Sequence, residues 1–408
     1  MRERCFRATA GYWTVSIPSS RQRRLSRCSS CSLVGWDDGW VTQCIRLAIL
    51  GATGSIGQQA LDVVRAHPDR LEVVALGANR STSALEGLAM EFPRARTALG
   101  ANALAALATD PDAELVLVAT PGVAGLKATV AALEDGKDVA LANKEVLVVA
   151  GHLVRRLSGG AGKRLRPVDS EHNALWQCLV GEDRANVSRV ALTASGGALR
   201  EVPVDALAGV TPQHALRHPT WRMGPKVTID SATLVNKAYE VIEAHWLYGL
   251  SYDRIDVVWH PESLVHALVE YVDGSVKAHL AEPDMRLPIQ YALLWDRAPS
   301  AAPRFEWMAA RTLHFGEIDA RRYPCFTVVV ETARSGDPGA LIGVSAADEI
   351  AVERFLRGDI PFTDIAPLLE RGAEIGAARK QSGEPGLDEI FAIDAAVRRA
   401  LEKEPVVA

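Results

Sequence analysis

The sequence lacks any apolar run of the roughly 18–20 residues that a membrane-spanning helix needs. It also lacks an excess of basic residues, because the formal net charge of its 408 residues is −5. Partners that bind through positive charge, such as nucleic acids and anionic membranes, are therefore not expected. A hydrophobic content of 48% and a charged content of 23% are typical of a globular protein, and the length suits two or three domains.

Cysteine is scarce outside residues 1–44, which hold four of the six cysteines. The other two, Cys178 and Cys325, are far apart in the sequence, so a disulfide framework is not expected. A reducing cytoplasm fits this pattern.

Residues 1–44 also contain no lysine and are rich in arginine and serine. Three interpretations compete for this segment. It could be a transit peptide, which would place the protein in a plastid. It could bind a metal at Cys28 and Cys31, although a single CxxC is weak support. It could also result from a start codon assigned too far upstream. We favour an extension that is disordered or absent from the mature protein.

Residues 45–68 have the pattern of a strand, a glycine turn and a helix. Ile45–Leu50 is apolar, glycines follow at positions 51, 54 and 57, and apolar residues then recur at helical spacing before Pro68. Glycines allow the backbone to approach a pyrophosphate, and a helix N-terminus presents free N–H groups to it. The spacing G-x-x-G-x-x-G differs from the dinucleotide pattern G-x-G-x-x-G, so a tight turn without a ligand is the alternative.

The next predicted strand, Glu72–Leu76, has no acid at its end, where NAD sites carry one to hold the ribose 2′-hydroxyl. It runs instead into "GANRS", where Arg80 suits a 2′-phosphate and favours NADP over NAD; an ordinary solvated arginine is the alternative. A later strand, in "KDVALANKE", ends at Asn143, Lys144 and Glu145. Because ligands of open α/β sheets bind beyond the carboxyl ends of strands, Lys144 stands where a catalytic cation is expected.

In "VDSEHNALW" two carboxylates, Asp169 and Glu171, are two residues apart. In an extended segment they would point to the same side and repel each other unless a cation compensated them. In a helix, Asp169 would be the cap and Glu171 would lie in the first turn. This stretch alone leaves both the metal site and the helix cap open.

The segment "VTIDSATLVNKAYEVIEAHWLYG" offers a third acid. We predict a helix capped by Asp230 or Ser231, on which Asn236, Lys237 and Glu240 are neighbours at i,i+3 and i,i+4 spacing. Glu240 would complete three oxygen ligands, which suit Mg²⁺ or Mn²⁺. A surface ion pair of Lys237 and Glu240 is the alternative.

Two loops carry polar and aromatic residues that need an explanation. Ser195 in "TASGGALRE" would form an anion-binding turn with two glycines, although a turn without a ligand fits equally well. The segment "HPTWRMGPK" is bounded by prolines and a glycine, so no regular element is expected there. Its Trp221 and Met223 are explained by a lid over a ligand or by packing against the core.

Together these motifs resemble those of the 1-deoxy-D-xylulose 5-phosphate reductoisomerases, NADPH- and metal-dependent enzymes of the non-mevalonate isoprenoid pathway. The resemblance covers the chain from about Ile45 to its end. It rests on eight motifs in the family's order, namely GATGSIG, LANKE, VDSEHNA, ASGG, HPTWRMGPK, DSATLVNKAYEVIEA, HPESLVH and AEPDMR. The chain departs from the family pattern at "GANRS", at Glu262 in place of glutamine and at Asp348 in place of asparagine.

The resemblance implies an α/β architecture with an N-terminal Rossmann-like NADP-binding domain over residues 45–168. An α+β catalytic domain with a lid loop would follow over 169–298, then a linker over 299–330 and a small C-terminal helical domain over 331–408. The resemblance also implies a homodimer, one Mg²⁺ or Mn²⁺ per subunit and a sugar phosphate as substrate.

The resemblance implies roles for individual residues as well. The catalytic residues would be Lys144, Glu171 and His218, and the metal ligands would be Asp169, Glu171 and Glu240. The substrate would contact Ser170, Glu171, Ser195, His218, Trp221, Met223, Ser231, Asn236, Lys237, Glu240 and His266. The cofactor would contact Thr53, Gly54, Ser55, Ile56, Asn79, Arg80, Ser81, Asn143, Glu145 and Met285.

The family converts a five-carbon ketose phosphate into a branched aldehyde and reduces it to 2-C-methyl-D-erythritol 4-phosphate. A hard cation on the ketone and a neighbouring hydroxyl suits this chemistry. Fragmentation and re-addition need a dry pocket, which a lid carrying Trp221 would close. The substrate phosphate would supply binding energy for that closure.

Two other functions remain open at this stage. A dehydrogenase of similar layout that acts on an amino-acid semialdehyde would need a cysteine nucleophile or would use no metal. Cys178 lies in the apolar stretch "ALWQCLVG", which favours a core position and counts against it. A non-catalytic NADP-binding sensor is the second alternative. Loss of activity with a chelator and recovery with Mg²⁺ or Mn²⁺ would distinguish the three.

Overall fold

The structure, a computed structural model, describes residues 44–159, 163–221, 223–309, 312–379 and 383–403. The predicted extension over residues 1–44, including Cys28 and Cys31, lies outside the described residues except for Cys44. Among the helices in the described ranges, none combines the length and the apolar character needed to cross a membrane.

The N-terminal part is a parallel sheet with helices between its strands. The strands are β1 (Ile45–Leu50), β2 (Leu71–Ala78), β3 (Arg96–Leu99), β4 (Leu115–Val118), β5 (Asp138–Leu141) and β6 (Leu165–Pro167). The helices are α1 (Ser55–Ala66), α2 (Thr82–Glu91), α3 (Ala101–Ala108), α4 (Leu126–Glu134) and α5 (Glu145–Ser158). The spatial order β3-β2-β1-β4-β5-β6 is the doubly wound order of dinucleotide-binding folds, and it confirms the predicted Rossmann-like fold.

The sequence pattern explains this sheet and the turn that follows its first strand. All of β4 is buried, as expected for a strand with helices on both faces. Gly51 has φ +94°, and a Cβ there would lie 2.5 Å from the carbonyl oxygen of Ala119, while a Cβ on Gly57 would overlap the backbone of Gly51. Glycine is therefore required at 51 and 57 for the chain to turn tightly from β1 into α1.

A second, four-stranded sheet follows in the chain. Its strands are β7 (Val187–Ala194), β8 (Ile255–Trp259), β9 (Val265–Tyr271) and β10 (Val276–Leu280). The helices of this region are α6 (Ser170–Leu179), α7 (Pro212–Ala215), α8 (Pro225–Thr233), α9 (Val235–Tyr248) and α10 (Arg286–Leu294). The strand order is β10-β9-β7-β8, with β7 parallel to β8 and antiparallel to β9. The region is thus α+β, as predicted.

The prediction that Asp230 or Ser231 caps the following helix is wrong. Both residues lie inside α8, and α9 begins only at Val235, after Leu234 adopts a left-handed conformation with φ 59°. Pro225 at the first position of α8 starts that helix before the lid sequence ends. The break at Leu234 turns the chain so that α8 and α9 both face one cavity.

The C-terminal part is helical, with α11 (Pro324–Ser335), α12 (Pro338–Arg357), α13 (Ile365–Ala377) and α14 (Leu387–Leu401). Helix α11 spans the predicted boundary between residues 330 and 331, and the division into domains stays a prediction. Helices α12 and α13 cross closely at glycines, because a Cβ on Gly343 would overlap the carbonyl of Gly372 and one on Gly376 would overlap the carbonyl of Gly339.

Candidate active site

A cavity of about 620 Å³ lies beyond the carboxyl ends of β5, β6 and β7, where this type of fold places its ligands. Most of the residues predicted for the site line it. They come from the start of α1, the β5–α5 turn, the cap and first turn of α6, the loop after β7, the lid, α8, α9, β9 and the cap of α10. These residues are Ser55, Ile56, Lys144, Asp169, Ser170, Glu171, Ser195, His218, Trp221, Met223, Ser231, Asn236, Lys237, Glu240, His266 and Met285.

The three predicted metal ligands converge in this cavity. One carboxylate oxygen from each of Asp169, Glu171 and Glu240 lies within 4.8 Å of the other two. Asp169 is also the cap of α6, since its Oδ1 accepts the N–H of Ser170 at 3.0 Å, and Glu171 lies in the first turn. Of the two conformations that the sequence left open, the structure has the helix, so a helix cap and a first turn bring these acids together and not an extended segment.

Two ammonium groups border the three acids. Lys144 Nζ lies 3.0 Å from Asp169 Oδ2 and donates to Asn236 Oδ1 at 2.7 Å. Lys237 Nζ lies 2.8 Å from Glu171 Oε1 and also contacts Glu240 Oε2. Burial alone would lower the pKa of both lysines, but the neighbouring carboxylates raise it, so both are cations.

The same charges shift the acids in different directions. Burial would raise the pKa of Asp169 and of Glu171, but the ammonium of Lys144 lowers the first and that of Lys237 lowers the second. Burial, followed by repulsion from Glu171, raises the pKa of Glu240 to about 8. A buried carboxylate whose ionisation is this costly is where a divalent cation would be accommodated.

The donor atoms fit a hard divalent cation. All three acids present carboxylate oxygens, the ligand type that Mg²⁺ and Mn²⁺ prefer. Asp169 Oδ2 is buried and accepts no well-directed hydrogen bond from the described residues, although Lys144 lies close to it. An oxygen in that state is free to act as a ligand.

The opposite side of the cavity carries neutral donors. His218 Nδ1 accepts the N–H groups of Thr220 and Trp221 at 3.1 and 2.9 Å, so in the neutral ring Nε2 carries the proton, 3.3 Å from Ser195 Oγ. Burial, and then the nearby Arg200, lowers the pKa of His218 to about 4. This side therefore offers hydroxyl and imidazole donors that do not need a charge.

The two glycines after Ser195 join this loop to α8. Gly196 and Gly197 have φ of 83° and 68°, and a Cβ on Gly197 would overlap the carbonyl of Ser231. The backbone of Gly197 thereby packs against Ser231, and Ser195 and Ser231 both line the cavity, as do Asn236 and Lys237. Lid residues Trp221 and Met223 are half-buried and line the cavity, and the Trp221 ring lies 6.4 Å from that of His266.

The predicted cofactor residues divide into two groups. Ser55 and Ile56 begin α1 and line the cavity, and no side chain caps the first N–H groups of that helix. Asn79, Arg80 and Ser81 are exposed beyond the end of β2. The remaining predicted contacts outside the cavity lining are Thr53, Gly54, Asn143 and Glu145.

Two of those residues are engaged by the protein itself. The Asn143 amide donates to the carbonyls of Thr120 and Gly122 and accepts the N–H of Val146, so it ties the loop after β4 to the start of α5. The Glu145 carboxylate is buried and pairs with Lys226 at 3.3 Å.

Sequence reasoning missed several residues of the site. Gln59, Thr193, Thr220, Ser263 and Asp284 also line the cavity, and no spacing in the sequence indicates them. Ser263, like Leu234, has a positive φ without being glycine, a conformation that concentrates at functional sites.

A buried acid behind the three predicted metal ligands was also missed. Glu243 Oε2 and Asp169 Oδ2 each lie 3.9 Å from His172 Nδ1, while His172 Nε2 lies 2.8 Å from the carbonyl of Glu240. These three side chains form a second group of close ligand atoms. The i,i+3 spacing of Glu240 and Glu243 was the available signal, because it places both on one helix face.

Comparison with known proteins covers most of the chain. Profiles of 1-deoxy-D-xylulose 5-phosphate reductoisomerase match residues 47–97 and 93–151, and profiles of its C-terminal domains match residues 165–248 and 280–400. The enzyme of that name from Thermomicrobium roseum is 48% identical over 341 residues, 79% of this chain and 88% of its own length. That from Geobacillus kaustophilus is 45% identical over 377 residues, 86% of this chain and 97% of its own.

The chain belongs to the 1-deoxy-D-xylulose 5-phosphate reductoisomerase family.

Solved structures of this family have the same fold. A DOX-P reductoisomerase in complex with NADPH, fosmidomycin and magnesium superposes with a TM-score of 0.82 at 36% identity, covering 88% of this chain and 97% of that one. The Zymomonas mobilis reductoisomerase in complex with NADPH gives 0.80 at 38% identity, covering 89% of this chain and 100% of that one. The reductoisomerase fold therefore extends over nearly all of the described residues.

Proposed function

We propose that this chain converts 1-deoxy-D-xylulose 5-phosphate to 2-C-methyl-D-erythritol 4-phosphate, using NADPH and one Mg²⁺ or Mn²⁺, in non-mevalonate isoprenoid biosynthesis. It is an oxidoreductase that also isomerises its substrate. Family membership supports this activity. The single structural observation that carries it is the convergence of three carboxylates and two protonated lysines in one cavity, beside the open N-terminus of α1.

Asp169, Glu171 and Glu240 would hold the metal. When bound, a divalent cation supplies Lewis-acid polarisation of the substrate's ketone and neighbouring hydroxyl oxygens. The raised pKa of Glu240 supports its role, because a carboxylate that ionises with difficulty gains from a nearby cation. Ser170, whose hydroxyl donates to Glu171 at 2.5 Å, would hold that ligand and reach the substrate from the same turn.

Lys144 would act as a cationic donor to substrate oxygen. A lysine whose pKa lies above its ordinary value is a poor base, so its contribution is a charged N–H rather than proton removal. Its hydrogen bond to Asn236 Oδ1 fixes its direction, and its charge lies 3.0 Å from Asp169 Oδ2. We assign Glu171, next to the reacting oxygens, as the second catalytic group.

The substrate phosphate would be bound by Ser195, Ser231, Asn236 and Lys237, with His218 beside them. Hydroxyl, amide and ammonium donors that line one cavity suit an anion. His218 donates from Nε2 as a neutral ring. Trp221, Met223 and His266 would cover the bound substrate and exclude water.

Bound NADPH supplies the hydride. Its pyrophosphate would lie on the first turn of α1, at Thr53, Gly54, Ser55 and Ile56, where uncapped N–H groups and the helix dipole favour an anion. Met285, which lines the cavity, would lie near the nicotinamide.

The 2′-phosphate of the cofactor would meet Asn79, Arg80 and Ser81, which are exposed at the end of β2. Asn143 would act on the cofactor through the loop that its amide holds. Glu145, in the first turn of α5, would be a further cofactor contact.

The test is metal dependence of NADPH oxidation with 1-deoxy-D-xylulose 5-phosphate. A chelator should abolish turnover, and Mg²⁺ or Mn²⁺ should restore it. Glu240→Ala should lower kcat/KM by at least about 100-fold, because even groups behind metal ligands cost 10–100-fold when removed. Glu86→Ala, an exposed acid on α2, is the control and should match the unaltered enzyme. Persistence of turnover in metal-free Glu240→Ala would refute the proposal.

We also propose a homodimer located in the cytoplasm. Strand β10 is an edge of its sheet among the described strands, and its Val276 and Leu280 are exposed, with Val272 in the preceding turn. An exposed apolar edge strand is a surface that a second chain covers by extending the sheet. The free thiols of Cys178 and Cys325 support a reducing compartment.

A further inference from the structure

A buried ionic cluster joins three parts of the chain outside the catalytic cavity. Its centre is Lys226, the second residue of α8, which follows the lid segment directly. Lys226 Nζ lies 2.6 Å from Asp230 Oδ2 on the same helix, 2.7 Å from Asp348 Oδ2 on α12 and 3.3 Å from Glu145 Oε1 on α5. We name these four residues the Lys226 cluster.

Burying these charged groups costs free energy, so we expect the cluster to have a purpose. The side chains of Asp348 and Asp230 are 0% and 2% exposed, and three carboxyl groups face a single ammonium. Burial raises the pKa of both aspartates, and the Lys226 ammonium only partly offsets it. Removing one partner of a buried charge network leaves the others uncompensated, so the geometry of the remaining groups depends on each member.

Its members are next to parts of the site. Glu145 follows Lys144 in the chain and opens α5. Gly224 and Val227, on either side of Lys226, line the cavity, and Ser231 lines it one turn further along α8. A shift of Lys226 would therefore move the base of the lid and the phosphate-side wall together.

Asp348 is the member of the Lys226 cluster for which the site has so far given no role. It lies on α12, in the helical region to which the sequence assigned no chemistry, and α12 packs against both α5 and α8. The ring of Tyr239 on α9 lies 5.4 Å from Lys226 Nζ on another side of the cluster. The C-terminal helices thus reach the lid base through one carboxylate.

We propose that Asp348 is a positioning residue for the reductoisomerase reaction, acting through Lys226 to set the base of the lid and the start of α5. The inference rests on the proposed function, since it concerns the same site. A displacement of about 1 Å at reacting groups lowers rates by up to about 100-fold, so we expect an effect on catalysis beyond any loss of stability.

The experiment measures kcat and KM for 1-deoxy-D-xylulose 5-phosphate, with saturating NADPH and Mg²⁺, well below each variant's melting temperature. Asp348→Leu should raise KM and lower kcat/KM at least about tenfold. Asp348→Asn keeps an acceptor oxygen of the same size and should stay within about threefold.

The matched control is Asp394→Leu, which also removes a buried acid from the helical region. Asp394 pairs with Arg398 at 2.8 Å, and among the described residues no ion pair joins Asp394 to Lys226. This variant should melt at a lower temperature and keep the kcat/KM of the unaltered enzyme. A purely structural role for Asp348 would make Asp348→Leu behave in the same way and would overturn the inference.

Lys226→Met is a second test of the inference, and it can be used if Asp348→Leu does not fold. It should lower kcat/KM at least about tenfold, and adding Asp348→Leu to it should lower kcat/KM no further, because Asp348 acts through Lys226. Unchanged kcat/KM in Lys226→Met, or an additive loss in the double variant, contradicts the inference. Absence of turnover in the unaltered enzyme would instead reject the proposed function.

Discussion

Asp169 is a helix cap and is also placed to be a metal ligand, two roles that the sequence presents as alternatives. Its Oδ1 accepts the N–H of Ser170 as a helix cap, while Oδ2 faces Lys144 and the other acids. A carboxylate has two oxygens, so capping consumes one and leaves the other for a metal. The "VDSEHNALW" pattern was ambiguous because both roles require the same residue at the same place.

At the residue scale, we predict that His218 is neutral throughout the physiological range. Burial, followed by Arg200, lowers its pKa to about 4, whereas an unfolded histidine titrates near 6.5. As the pH falls from 6.5 toward 4, the unfolded chain binds a proton at this histidine and the folded chain does not. The free energy of unfolding should therefore fall over this range and be unaffected by His218 above it. NMR titration of the imidazole signals, with His218→Gln to assign the ring, measures this. A midpoint near 6.5 would contradict it.

Cys178 shows how a residue's surroundings decide between functions. Its side chain is buried, lies outside the cavity lining and has a thiol pKa raised by burial to about 11. A thiol in that state is not a nucleophile. The alternative of a semialdehyde dehydrogenase therefore loses the cysteine it would need.

At the scale of elements, the strand–turn–helix patterns were predictable and the join between α8 and α9 was not. Alternation and helical periodicity are local, so Ile45–Leu50 could be read directly. The left-handed turn at Leu234 occurs at a residue that rarely adopts it, and only the packing of two helices on one cavity supports it. A cap at Asp230 was a reasonable local prediction that tertiary contacts overrode.

The crossing of α12 and α13 gives a test at this scale. A methyl group on Gly343 would overlap the Gly372 carbonyl, so Gly343→Ala should destabilise the protein by roughly 1–3 kcal/mol through overpacking. Gly87→Ala is the control, because a Cβ there meets no atom within 4 Å and alanine favours the helix. Thermal unfolding followed by circular dichroism should show a lower midpoint for the first variant and an equal or higher one for the second. Equal unfolding midpoints for both variants would contradict the prediction, because they would mean that α12 and α13 can move apart to fit a methyl group without loss of stability.

At the scale of the whole molecule, we predict a dimer that depends on β10. Sedimentation of the unaltered chain should give about twice the chain mass of 43.9 kDa. Lysines at two exposed apolar positions, Val276→Lys with Leu280→Lys, should produce monomers, because like charges on an edge strand oppose pairing. Met90→Lys is the control, since Met90 is 80% exposed on α2, far from β10 in the chain. A monomer before substitution, or a dimer that survives it, would rule out this interface.

The site itself was largely predictable in composition but not in geometry. The motifs indicated which residues belong to it, because their types and order match those of the reductoisomerases. They did not indicate that Glu145 faces Lys226, or that His172 lies against the carbonyl of Glu240. Such contacts join residues from different elements, and no local period encodes them.

The sequence by itself determined the parallel sheet, the glycine turn, the three acids and the family, because each depends on local periodicity or on ordered motifs. Tertiary structure alone decided which charges share a buried space. That choice sets the pKa of Glu240, the direction of Lys144 and the link from Asp348 to the lid. The physical reason is that electrostatic energies depend on distance and burial, and both are fixed only when the elements pack.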